Sequence, residues 1–217
     1  MSTITILIIF ALFITGSILY SKKKEKDRSE KMSKFASRMG YRFEMKPNPS
    51  YFDQFASFQL FSSGRSKKIR DRLSKTKRSN ELDIFGYQYT TGSGKHSHTY
   101  RYTVVSLQDT DYQFPSFDLR PQHFLHNIGK FFGYQDIDFS DNQTFSEQFL
   151  LRGDNESAIH DFFNPDILDK FIQCQDICVE ARNDRVIFYR NQGHLEGEEI
   201  NLLSEQALAL FQLFCRD

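Results

Sequence analysis

An apolar run over residues 4–19 is followed at once by Lys22, Lys23, Lys24, Lys26 and Arg28. This junction restricts the possible structures of the chain more than any other feature. Taken as one helix, residues 2–21 measure about 30 Å at ~1.5 Å per residue, which matches the hydrocarbon thickness of a bilayer. The polar side chains inside it are the hydroxyls of Ser2, Thr3, Thr5, Thr15, Ser17 and Ser21. Such hydroxyls can bond back to carbonyls of their own helix, so no charge has to enter lipid. Tyr20 stands where an interfacial aromatic is expected. The positive charge follows the run, whereas a cleaved secretory signal would carry it in front. The sequence therefore predicts a transmembrane anchor over residues 1–21.

Lysine and arginine beside a span favour the cytoplasm, and residues 22–38 hold eight bases against three acids. The expected location is the inner (plasma) membrane, single-pass, with the remaining chain facing the cytoplasm. On that side Asn142-Gln143-Thr144 and Asn155-Glu156-Ser157 lose their meaning as glycosylation acceptors. Arg152-Gly153-Asp154, which resembles an adhesion tripeptide, reads there as a turn. Cys174, Cys178 and Cys215 are expected to be reduced and buried as small hydrophobes.

The formal net charge is zero, but it is unevenly spread: residues 1–78 hold 18 bases and 6 acids, and residues 79–217 hold 10 and 22. Much of the positive half lies beside the apolar run, where anionic headgroups attract each base by about 1 kcal/mol. With 23 Phe, 10 Tyr and no Trp, aromatic rings are expected to supply much of the buried area.

Periodicity assigns residues 22–40 to a basic juxtamembrane amphipathic helix ended by Gly40, and residues 41–217 to one domain. Within that domain, residues 41–45 alternate as a strand and residues 51–61 have helical spacing. Residues 81–90 and 100–107 form a hairpin across the polar connector 91–98. Residues 114–121 predict a short or edge strand, because Pro115 and Pro121 cannot donate to a ladder. Helical spacing recurs over residues 123–132, 154–163, 165–173 and 202–214. Residues 145–152 read as a strand, and residues 177–181 and 186–189 as a second hairpin. Paired strands with helices between them argue for α+β: an N-terminal transmembrane helix, one antiparallel-sheet domain of roughly seven strands with peripheral helices, and a C-terminal helix.

Thr91-Gly92-Ser93-Gly94-Lys95 looks like a phosphate-binding loop, but it joins two strands and has Tyr89 where the first glycine belongs, so a hairpin tip is the better reading. His96 and His98 share one side of an extended chain, and His123 and His126 one face of a helix. These four are the weak candidates for a metal, with no CxxC or HExxH spacing behind them. Residues 65–78 carry eight bases and one acid. Together with the first cluster they nominate Lys22, Lys23, Lys24, Lys26, Arg28, Arg65, Lys67, Lys68, Arg70 and Arg72 for contact with a membrane surface.

The N-terminal span, the aromatic stretch from Phe85 through Tyr87 and Tyr89 to Lys95, and Phe114-Pro115-Ser116-Phe117-Asp118-Leu119-Arg120-Pro121 together resemble an uncharacterised family of small bacterial single-pass membrane proteins. The resemblance implies topology and no reaction. The expected function is a membrane-anchored protein with a cytoplasmic binding or scaffold domain. It has the bilayer, through residues 2–21, and anionic lipid headgroups as partners, and neither a cofactor nor nucleic acid is expected. The alternatives are an anionic-lipid-binding domain and a metal-dependent hydrolase; a non-enzymatic role is the stronger expectation.

Overall fold

The computed structural model describes residues 3–127, 136–174, 176–191 and 193–216. Eight strands form a single antiparallel sheet in the order β1-β2-β3-β4-β8-β7-β5-β6. They are β1 (Arg42–Glu44), β2 (Arg65–Lys77), β3 (Asn80–Thr91), β4 (His98–Asp109), β5 (Phe114–Pro121), β6 (Phe149–Gly153), β7 (Cys178–Asn183) and β8 (Arg185–Tyr189). The helices are α1 (Thr3–Met39), α2 (Gln59–Ser62), α3 (Gln143–Gln148), α4 (Glu156–Phe162), α5 (Pro165–Gln173) and α6 (Glu198–Phe214). Short 3-10 turns cover Pro49–Phe55, Gly94–His96 and Gln122–Asn127.

The α+β class and both expected hairpins are present, but the expected transmembrane helix is not. Among the described residues no helix is long and apolar enough to cross a membrane. The stretch assigned to the anchor and the stretch assigned to a separate amphipathic helix are one continuous helix, α1. Among the side chains described in its N-terminal half, Ile9, Phe10, Leu12, Phe13, Ile14, Leu19 and Tyr20 are exposed. Met1 and Ser2 of the expected anchor, and the part of the expected helix 123–132 beyond Asn127, lie outside the described residues.

Other corrections are local. The segment expected to be a strand from Phe145 begins as α3, because Asn142 caps it by accepting from Phe145 N at 3.1 Å; the strand starts only at Phe149. Strand β5 is paired on both sides, by β6 and β7. It tolerates its prolines because Pro115 falls in a register shift and Pro121 pairs only with β6.

The two sheet faces differ in chemistry. On one, α1 and α3–α6 pack Met32, Ala36, Phe163, Phe171, Leu210 and Phe214 against Leu73, Ile84, Val105, Phe117, Val179 and Phe188. On the other, residues 49–62 lay Tyr51, Phe55, Phe58 and Phe61 over Phe85, Tyr87, Val104, Cys178 and Tyr189. This second face also buries charge. Glu180 is fully buried and accepts from Leu60 N, Arg120 and Tyr189. Arg182 grips both carboxylate oxygens of Asp118, at 2.8 and 3.0 Å. Burial and the nearby Glu180 push Asp118 up to about 6, against the opposing pull of Arg182 and Arg120.

Candidate functional site

Among the residues whose side chains are described, helix α1 docks through its C-terminal half. Ser29, Met32 and Ala36 are buried at helical spacing, while the side chains from Ser21 to Asp27 are exposed. The hold is electrostatic as well as apolar: Arg28 Nη1 donates to Asp71 Oδ2 at 2.9 Å, and Ser29 Oγ to Asp71 Oδ1 at 2.5 Å.

A bulge in β2 makes this possible. Arg70 pairs with Gly86 and Leu73 with Ile84, so Asp71 and Arg72 together face one residue of β3. Asp71 takes φ +53°, a left-handed conformation that Asp tolerates better than most side chains. The bulge sends Asp71 to α1 and Arg72 to the opposite face. There Arg72 binds Asp83 at 3.0 Å and Glu81 at 2.7 Å, and lies over the Tyr51 ring at 4.2 Å.

Beyond this docking point α1 overhangs the sheet, leaving a cleft of about 1210 Å³. The helix lines it with Lys24, Arg28 and Lys31, and the strands with Lys68, Arg70, Gln88 and Arg101. Register puts Lys68, Gln88 and Arg101 in one row across β2, β3 and β4, with neighbours separated by about 5 Å. The adjacent row is Arg70, Gly86 and Thr103. Gly86 lets the Arg28 and His194 side chains approach the sheet closely: a Cβ would stand 2.8 Å from Arg28 Nη1 and 3.1 Å from His194 Cε1, so both would have to shift.

His194 closes the cleft floor. Leu195 N donates to Thr103 Oγ1 at 2.8 Å and fixes this loop beside β4. The His194 Nδ1 atom lies 3.1 Å from Tyr102 O, and since a carbonyl only accepts, Nδ1 carries the proton. Burial, helped by Arg28 and Arg101 and opposed by that hydrogen bond, pulls its pKa down to about 3, so the ring is neutral at pH 7. Burial also draws the Arg28 guanidinium down, against the carboxylates of Asp71, Glu196 and Glu25.

Of the residues nominated for membrane contact, the structure brings Lys24, Arg28, Lys68 and Arg70 to this cleft. Lys22, Lys23 and Lys26 are exposed on the overhanging helix. The other three are held by local structure: Arg65 donates to Gly92 O, Lys67 to Phe61 O and Ser62 O, and Arg72 to its carboxylate cluster. Arg101 and Gln88 were not nominated. The signal for them was present, since each interrupts a strand of β-branched and aromatic residues on the face that register assigns to α1.

Among the weak metal candidates, His96 and His98 lie at the β3–β4 tip, where His98 meets the Tyr100 ring edge-on. His123 Nε2 is 3.3 Å from Asp176, and the His126 side chain lies outside the described residues. Among the described residues no three His, Cys, Asp or Glu side chains converge as a metal site. Cys174 and Cys178 are buried free thiols, and burial pushes Cys178 up to about 12. Asn155 of the second glycosylation pattern caps α4, and Gly153 of the tripeptide leaves room for Ile159 and Ser116 O.

No protein-family model matches the chain, and no curated protein matches it. The fold is similar to that of a solved protein, the mycobacterial trehalose monomycolate transport factor A, with a TM-score of 0.63 at 9% identity over 86% of this chain and 94% of that one. At that identity the likeness concerns the fold alone.

Proposed function

We propose that this protein is a non-enzymatic binding module that works on a lipid surface, at the cytoplasmic face of the cell membrane. The observation that carries the reading is the overhanging half of α1. Phe10, Leu12, Phe13, Leu19 and Tyr20 are 61 to 72% exposed. An exposed set of large apolar side chains on one helix is a contact surface, because leaving it in water forfeits about 25 cal/mol per Å². Lys22, Lys23, Lys24 and Lys26 follow it directly and match an anionic leaflet, each contributing about 1 kcal/mol near the surface.

The test is flotation of the full chain with vesicles of phosphatidylcholine alone or mixed with phosphatidylglycerol. Wild type should float with the anionic vesicles, less so at high salt, and Phe10→Ser with Phe13→Ser should abolish flotation. Wild type remaining in the dense fraction with both compositions would overturn the proposal.

A further inference from the structure

The cleft beneath α1 has more positive charge than its own carboxylates neutralise. Arg28 is paired with Asp71, Lys31 with Glu196 at 2.8 Å, and Arg70 with Glu25 at 3.6 Å. Lys24, Lys68 and Arg101 have no ion pair among the described residues, and Asp27 is the remaining acid of the lining. The fixed surplus is therefore two positive charges, and the neutral His194 does not add to it.

The arrangement is as informative as the count. Lys68 and Arg101 flank Gln88 on three neighbouring strands, so their stems start about 10 Å apart with an amide donor midway. Both side chains are exposed to the cleft and carry no carboxylate. An anion set over Gln88 can take an ammonium from one side, a guanidinium fork from the other and the amide from below. A tetrahedral oxyanion offers acceptors in all these directions, whereas a carboxylate offers two oxygens in one plane. Lys24 reaches the same cleft from the helix. An anion there would also act on the half-buried Arg28 in the same sense as its carboxylates, lowering the cost of its desolvation.

We infer that the cleft between α1 and strands β2–β4 is a phosphate-binding site, with Lys68, Gln88, Arg101 and Lys24 as its ligand-contacting residues. Its ligand is a phosphate ester group, carried either by a lipid headgroup or by a small soluble molecule. The site depends on the surface-binding reading only for the source of that group.

The experiment titrates the full chain with inorganic phosphate and with glycerol 3-phosphate, followed by amide chemical shifts, and repeats flotation with phosphatidylglycerol vesicles. Lys68→Gln with Arg101→Gln should weaken binding about tenfold or more, since each removes a charge-assisted contact. Both residues are exposed, so this variant should melt with wild type. Lys22→Gln with Lys26→Gln, on the helix outside the cleft lining, should leave the phosphate titration unchanged. Saturable shifts with the soluble probes assign the ligand to a small molecule. A vesicle response lost in the Lys68/Arg101 variant, without a soluble response, assigns it to a headgroup. No response to either probe, or responses that the Lys68/Arg101 variant leaves intact, would overturn the site. Vesicle binding that needs Phe10 and Phe13 but not Lys68 and Arg101 would sink the cleft and spare the surface reading. Phosphate binding without flotation would do the reverse.

Discussion

The two faces of the sheet are stabilised by opposite means. The face under α1 and α3–α6 is filled by aliphatic and aromatic groups such as Leu73, Val105, Phe171 and Leu210. Packing there is non-directional, and swaps that conserve volume cost little. The face under residues 49–62 surrounds its rings with buried ion pairs, Arg120 with Glu180 and Arg72 with Asp83. Those contacts are directional, and removing one partner strands the other. The cleft lies on the apolar face, where α1 departs and the core gives way to Lys68, Gln88 and Arg101. A packed core cannot hold unpaired cations, but its open margin can.

The largest expected difference compares Glu180→Ala with Leu210→Met. Losing Glu180 leaves Tyr189 and Leu60 N without their acceptor and removes a buried ion pair of Arg120, which should cost about 3–5 kcal/mol in urea unfolding. The Leu210 swap should cost less than about 1.5 kcal/mol. Equal losses would remove the distinction between the faces.

A pH titration sharpens it at the cleft floor. His194 has a folded pKa of about 3, below its unfolded value near 6.5. The unfolded chain binds the proton more readily, so this contribution is intact above pH 6.5 and is lost as pH falls toward 3. At pH 5 the loss is roughly 2 kcal/mol. The variant His194→Gln should therefore lose less stability between pH 7 and 5 than wild type. Parallel profiles would show that the ring titrates normally.

The smallest effect tests the helices that cover the apolar face. Asn164 caps α5 by accepting from Ile167 N at 3.1 Å. Asn164→Ala should lower stability by about 1 kcal/mol, read as a lower melting temperature with phosphate binding retained. A change in phosphate affinity would show that the cleft and the helical layer are coupled.

Much of the local structure was legible in the chain. Helix α5 follows from Asn164-Pro165 at its start and its apolar spacing, and the β7–β8 hairpin from Arg182-Asn183-Asp184, where Asn183 takes φ +53°. The candidate site was legible only in part. Lys24, Arg28, Lys68 and Arg70 stood out as a basic population, but Arg101 lies far from them in sequence. Asp71 is the single acid of the basic stretch 65–78, and it is the residue that holds Arg28 and Ser29 of α1.

Periodicity, caps and turn residues act over a few neighbours, and for that reason the sequence by itself determined the α+β class, most element positions and the uneven distribution of charge. The docking of the C-terminal half of α1 was decided by tertiary structure, because Asp71, which holds Arg28 and Ser29, comes from a distant strand. So was the pairing of β5 on both edges, since a bulge can absorb a proline that a regular ladder excludes. The division of the cations between a free row and a neutralised cluster followed from the β2 bulge, which turns Asp71 and Arg72 to opposite faces. Which charges remain available to a ligand depends on partners brought from distant strands, and spacing along the chain carries no information about those distances.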